Sequence, residues 1–223
     1  MTPADASSAT AVDYRIIPVT PFQQNCTLLR CPDTGATAIV DPGGEPERLT
    51  AALAAMHAEP ALILLTHGHL DHVGAAPALA QQLGLPIVGP HADDAFWLDA
   101  LPQQAQMFGF PPHQAFRPER WLADDEVVML GHRQLRVLHC PGHTPGHIVL
   151  FDAETRLAQV GDVLFAGGIG RSDFPRGNQA DLLRSIRERL FPLGDDVRFI
   201  PGHGPMSTFG EERRHNPFVA AGG

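Results

Sequence analysis

Thr66-His67-Gly68-His69-Leu70-Asp71-His72 places four potential metal ligands within six residues. Residues 61–65, just before it, form an apolar run of strand length, and residues 73–83 carry apolar side chains at helical spacing. The heptapeptide is therefore expected where a buried strand ends and a helix begins. In extended backbone, side chains two residues apart point the same way, so His67 and His69 can address one ion. Gly68 is read as keeping those ligands from crowding each other. Asp71 and His72 fall at the turn into the helix and can face a second position, where a helix N-terminus favours an ionised Asp71. Scattered polar loop residues rarely reproduce three histidines and an aspartate at this spacing. Neutral imidazoles with carboxylates suit Zn2+ and, after it, Fe or Mn.

Three more loops supply groups of the same kind. His143 sits in Cys140-Pro141-Gly142-His143-Thr144-Pro145-Gly146-His147, Asp162 in Val160-Gly161-Asp162, and His203 in Pro201-Gly202-His203-Gly204-Pro205. Each follows an apolar run and is flanked by glycine or proline, which allow close backbone approach and hold a loop rigid. Ligands gathered from loops at strand ends are a common way for a rigid scaffold to build a site.

Strand signals recur at residues 14–19, 26–29, 38–40, 61–65 and 86–88, and again at 126–130, 134–138, 147–151, 157–160 and 197–200. Helical spacing is found over residues 45–57, 73–83, 92–101 and 181–190. Residues 102–118, rich in Pro, Gln and Phe, show no periodicity and are expected as a connecting loop or lid. Strands then helices, repeated loosely twice, fit two facing sheets with helices outside better than an alternating doubly wound sheet.

The net charge is −9, from 16 basic and 25 acidic residues, and every basic residue is arginine. That balance argues against nucleic acid as a partner. Absence of lysine excludes Schiff-base and Ser-Lys mechanisms. No apolar run approaches the ~18 residues of a membrane span, so no membrane partner is expected. Residues 1–11 are small and polar, carry no secretory signal pattern and are read as a poorly ordered tail. Residues 12–223 are read as a single domain. Three cysteines, at 26, 31 and 140, fit reduced thiols in a cytoplasmic protein.

His-x-His-x-Asp-His, a later His, Gly-Asp and a last His in Pro-Gly-His-Gly-Pro resemble the metallo-β-lactamase superfamily. The resemblance implies an α/β fold, a four-layer αββα sandwich with a dinuclear site at the sheet edge. It places His67, His69 and His143 on a first divalent ion, Asp71, His72 and His203 on a second, and Asp162 on both, with zinc expected and Fe or Mn as other metals that accept the set. It also makes Asp71 and Asp162 the catalytic carboxylates. A hydroxide bridging the metals, formed near neutral pH against a bulk value of ~15.7, would attack an acyl carbon while Asp71 orients it.

Residues 167–177, Gly-Gly-Ile-Gly-Arg-Ser-Asp-Phe-Pro-Arg-Gly, are similar to a segment shared by glyoxalase II-like enzymes and persulfide dioxygenases. Residues 14–20 and Gln24-Asn25-Cys26 resemble the glyoxalase II-like group, above all its short bacterial branch. That resemblance implies a small-molecule thioester substrate, S-D-lactoylglutathione, cleaved to D-lactate and glutathione. A thiol of pKa ~8.5–9 leaves without much acid catalysis. The alternative is a persulfide dioxygenase with one Fe(II); a lactone hydrolase is weaker, since Tyr14 is the sole tyrosine and lies far from the motifs. The longer enzymes carry a helical domain that clamps glutathione, and here twenty residues follow His203.

Arg171 and Arg176 are read as glutathione-carboxylate contacts or as ion-paired surface residues. Asp41, closing a strand in Asp-Pro-Gly-Gly, is read as orienting a metal histidine or as a turn residue. Thr66 can help through its hydroxyl, and His147 is read as supporting rather than ligating. Trp97, Trp121, Phe108, Phe110 and Phe116 are candidates for a pocket mouth or for core packing. Cys140 is expected to be a small buried apolar residue, and His91, His113, His132 and His139 to be surface or packing residues.

Overall fold

Neighbouring residues along the strands go to different apolar clusters, and this alternation produces the layers. The computed structural model describes residues 13–220, so the tail expected over residues 1–11 lies outside the described residues. One sheet contains β1 (Asp13–Val19), β2 (Gln24–Arg30), β3 (Ala36–Val40), β4 (Glu59–Leu64) and β5 (Ile87–Val88) in sequence order. Its first three strands pair antiparallel, and β3, β4 and β5 run parallel. A second sheet begins with the antiparallel run β6 (Val127–Leu130), β7 (Arg133–His139), β8 (Ile148–Asp152) and β9 (Leu157–Gly161). After a ribbon of β10 (Leu164–Phe165) and β11 (Gly168–Ile169), β12 (Arg198–Pro201) joins parallel to β9, and β13 (Ser207–Thr208) closes that edge.

Leu62 and Leu64 of β4 join Val40, Val137, Ile148 and Leu150 in a cluster shared by the two sheets. Ile63 and Leu65 instead pack with Leu49, Leu53, Leu79 and Leu101, from α1 (Pro46–Ala55), α3 (Ala76–Leu83) and α5 (Leu101–Phe108), which with α2 (Leu70–Val73) and α4 (Ala95–Asp99) follow the first sheet's strands. On the second sheet, Leu138, Val149 and Phe199 meet Leu182, Ile186 and Phe209, from α6 (Gln179–Arg184), its π-helical continuation Ser185–Leu190, and α7 (Phe209–His215). The result is the expected order helices, sheet, sheet, helices. Leu64 is fully buried between the sheets, and Leu64→Ala is expected to cost about 2–5 kcal/mol through the cavity it leaves, read as a lower urea midpoint at unchanged slope.

Two expectations need correction. Residues 102–118 are not one loop: Leu101–Phe108 is α5, with Pro102 tolerated in its first turn and Gly109 ending it at φ 71°. Its buried stripe is Leu101, Gln104 and Ala105, too weakly apolar to register as periodicity. The helix expected over residues 73–83 is divided into α2 and α3, with Pro77 in the first turn of the second. The segment after His203 carries α7, capped by the Thr208 hydroxyl accepting from Glu211 N at 3.1 Å, with arginines in its last turn.

Candidate metal centre

Parallel pairing brings the candidate residues together. β3 and β4 end side by side, so Asp41 and Thr66 are neighbours, and Asp41 N donates to Leu64 O at 2.9 Å. β9 and β12 also end together, with Gly202 N donating to Gly161 O at 2.8 Å, which sets Asp162 beside His203. The sheets are tied at this edge by Ile148 N donating to Thr66 O at 2.8 Å. All seven predicted ligands collect there.

His69 Nδ1 lies 3.1 Å from His67 Nε2 and 3.0 Å from His143 Nε2. A tetrahedral zinc with bonds of ~2.0–2.1 Å spaces its ligands ~3.3 Å apart, close to this arrangement. Beside it, Asp71, His72 and His203 form a second group of three, with His203 Nε2 3.2 Å from Asp71 Oδ2. Asp162 lies between the groups. Its Oδ1 is 3.3 Å from His72 Nε2, and its Oδ2 is 3.6 Å from His143 Nε2 and 3.7 Å from His203 Nε2.

Partners on the far ring nitrogens orient these imidazoles. His143 Nδ1 donates to Arg171 O at 2.7 Å and His203 Nδ1 to Phe22 O at 3.1 Å, because a carbonyl can only accept. His72 Nδ1 donates to Asp41 Oδ2 at 2.9 Å. The Thr66 hydroxyl donates to the same Asp41 oxygen at 2.6 Å and so accepts from His67 Nδ1 at 3.1 Å. In all four rings this leaves Nε2 as the nitrogen that faces the site. His72 Nε2 and Asp162 Oδ1 are buried without a hydrogen-bond partner. Convergent lone pairs and orphaned buried acceptors are what a cation satisfies, and the side chains present fit two.

The charges distinguish the two groups. Burial, then the neighbouring imidazoles, holds His67 and His69 well below the usual histidine range, and burial lowers His143 too, so these three are neutral and ready to ligate. At His72 burial also opposes the charged form, but Asp162 and Asp71 outweigh it and raise the pKa well above normal. His203 is raised as well, by Asp71 and Asp162 against burial. Asp162 is strongly acidified: burial is overcome by His72, His143 and His203.

Asp41 and Thr66 thus hold hydrogen bonds to His72 and His67. His147 accepts from Asp162 N at 3.0 Å through Nε2 and stacks on His67 at 4.7 Å, a supporting position. Gly68 has a different reason from the one expected: a Cβ there would lie 2.7 Å from Trp97 Cβ, so its bare Cα admits α4 rather than separating ligands. At Gly202 a Cβ would collide with the Asp162 carboxylate. His91 and His139, expected to be surface or packing residues, stack at 4.2 Å beside Asp93.

Sequence reasoning missed Asp94. It is fully buried and accepts from Gly68 N at 2.8 Å, Thr144 Oγ1 at 2.8 Å and Gly146 N at 2.6 Å, clamping the His67–His69 loop to the His143 loop. Burial raises its pKa to about 6 against those three bonds, leaving it ionised at neutral pH. Asp94→Asn replaces one accepting oxygen by a donor, and is expected to weaken metal binding by ~10–100-fold in competition with a chromophoric chelator. Gln104 was missed too; its Oε1 accepts from Leu70 N at 2.9 Å and its Nε2 donates to Trp97 O at 2.9 Å.

A cavity of about 730 Å3 opens over the centre. Trp97, Phe108 and Phe110 line it, whereas Phe116 and Trp121 pack on the core. Arg171 lines it as well, but its guanidinium is paired with Asp173 at 3.0 Å. Arg176 is not part of the wall and lies over Phe96 at 4.2 Å.

This fold and this cluster are those of a metal-dependent hydrolase family. The chain belongs to the metallo-beta-lactamase superfamily, whose model matches residues 19–203, and the family's fold with its His/Asp clusters implies divalent metal binding. It is 50% identical over 209 residues to hydroxyacylglutathione hydrolase GloC of Haemophilus influenzae, covering 93% of this chain and 98% of that protein. Among solved structures it resembles the BLEG-1 B3 metallo-beta-lactamase at 34% identity and TM-score 0.86, over 94% of this chain and 100% of that one. It also resembles TTHA1623 in a di-iron-bound form at 36% identity and TM-score 0.84, over 92% and 100%.

Proposed function

We propose that the protein is a glyoxalase II-type thioesterase that hydrolyses S-D-lactoylglutathione to D-lactate and glutathione. The observation that carries this reading is Asp162 set between two complete three-residue groups at the floor of an open cavity. The 50% identity to a hydroxyacylglutathione hydrolase supports the substrate class. Two divalent ions there supply Lewis acidity and lower the pKa of water from 15.7 towards ~7. We assign His67, His69 and His143 to the first ion, Asp71, His72 and His203 to the second and Asp162 to both, with zinc as the metal and iron as the alternative that the di-iron relative illustrates.

The chain's own groups do the rest. Asp71 Oδ2 lines the cavity near His203 and accepts a hydrogen bond from the attacking water, fixing its direction. Trp97 and Phe174, packed on His69 at 4.5 and 5.0 Å, exclude bulk water from the carbonyl. The thiolate, of pKa ~8.5, leaves without a dedicated acid. No cysteine lines the cavity, and burial pushes the Cys140 thiol up to about 12. The three buried free thiols fit a reducing, cytoplasmic setting.

Metal-loaded protein is expected to release thiol from S-D-lactoylglutathione, with two metal ions per chain by elemental analysis. One iron per chain with oxygen uptake on a persulfide would overturn the thioesterase in favour of the dioxygenase.

A further inference from the structure

We infer, on the thioesterase reading above, that the preferred substrate carries an apolar acyl group of aryl size, which the cavity over the metal centre receives, while the thiol half stays outside it. The first observation is size. A lactoyl group, about five non-hydrogen atoms at roughly 30 Å3 each, fills about a fifth of the 730 Å3 available.

The second is the chemistry of the walls. Apolar surface starts at the reacting centre: Phe174 lies 5.0 Å from His69 and 5.9 Å from His143, and Trp97 lies 4.5 Å from His69. On the other side Phe165 lies 6.3 Å from His203. A substituent bonded directly to the scissile carbonyl meets these rings first. Farther out, Phe22 packs on Phe108 at 5.8 Å and on Phe110 at 5.4 Å. Phe22, Met107 and Phe108 remain 44%, 76% and 42% exposed, an unusual cost for large apolar side chains unless a ligand covers them.

The third is charge. Glutathione is a peptide with two carboxylates, and Arg171 is the one arginine lining the cavity among the described residues. Its Nε and Nη2 each bond an Asp173 oxygen at 3.0 Å, and its guanidinium lies 4.3 Å over the Phe174 ring. That charge is already paired, so the cavity offers the tripeptide little and an apolar acyl group much.

The test compares kcat/KM for three thioesters: S-lactoylglutathione, S-mandeloylglutathione, and the lactoyl thioester of benzyl thiol, which puts the ring on the other side. S-mandeloylglutathione is expected to exceed S-lactoylglutathione by ~30-fold, mainly through KM, because one ring is buried in place of a methyl. Phe174→Ala should reduce that ratio to below about 5. Met107→Ser, at an exposed position that folding does not need, should also lower it, with metal content and Tm checked for both. A ratio near or below one overturns the inference, as does a gain found only with the benzyl thiol ester. Hydrolysis of none of the three by fully metallated protein overturns the thioesterase reading and this inference together.

Discussion

Asp162→Asn is expected to lower thioester turnover by about 10³-fold or more and to leave fewer than two metal ions per chain. The carboxylate lies between the two three-residue groups, and it faces His72, His143 and His203 at 3.3 to 3.7 Å. Two cations ~3.5–4 Å apart repel each other, and a negative charge between them is what makes joint occupancy favourable. Asparagine keeps the size and loses the charge. The fold should survive, because Asp162 N still donates to His147 and the strand pairing of β9 is untouched. Elemental analysis with kcat on the thioester checks both parts. An Asn variant with two ions and near-normal kcat would remove Asp162 from the centre.

Stripping the metals with a chelator is expected to abolish activity and to lower Tm by roughly 8–16 °C. The stabilisation from saturating ligand at a thousand times its Kd is about 4 kcal/mol, and each kcal/mol moves a chain of this length, 223 residues, by ~2–4 °C. Acid should remove the two ions in order. Protons compete with metal for imidazoles whose pKa is raised, and those are His72 and His203, held up by Asp162 and Asp71. His67 and His69 are lowered by burial and by the imidazoles around them, so protons compete poorly there. As pH falls, the ion assigned to Asp71, His72 and His203 is therefore lost first, at a pH where the other remains. Metal content after dialysis at stepped pH values reads this directly. Simultaneous loss, or loss in the reverse order, would contradict it.

The centre was legible because its parts are local: His67 to His72 is one short stretch, and His143, Asp162 and His203 each sit in a loop punctuated by glycine or proline. Their supports were legible only where they adjoin those loops. Asp41 and Thr66 could be named because both close strands, and parallel pairing of β3 with β4 then makes them neighbours. Asp94 could not, since a buried carboxylate accepting three hydrogen bonds looks in sequence like any aspartate at a helix start. Gln104 was hidden within a stretch whose helix has only a narrow apolar stripe, so α5 beyond Leu101 read as loop. For α7 a signal existed: Thr208 followed three residues later by Glu211 is a capping pattern, but seven residues are too few for periodicity to reinforce it.

The centre and the cavity are built from different parts of the chain. Strand ends, with Asp41 and Asp94 beneath them, fix the metal-facing side chains, whereas α5, the β10–β11 ribbon and the loop to Phe174 supply the walls. Gln104 ties α5 to the centre through Leu70 N and Gly68 O, and the backbone carbonyls of Arg171 and Phe22, which accept from His143 and His203, tie other parts of the wall to it. Substrate preference can therefore drift, or be redesigned, by exchanging wall side chains while the reaction chemistry is kept, provided that position 104 keeps accepting from Leu70 and that the carbonyls at positions 22 and 171 keep accepting from His203 and His143. In this architecture selectivity behaves as a replaceable module fitted to a fixed engine.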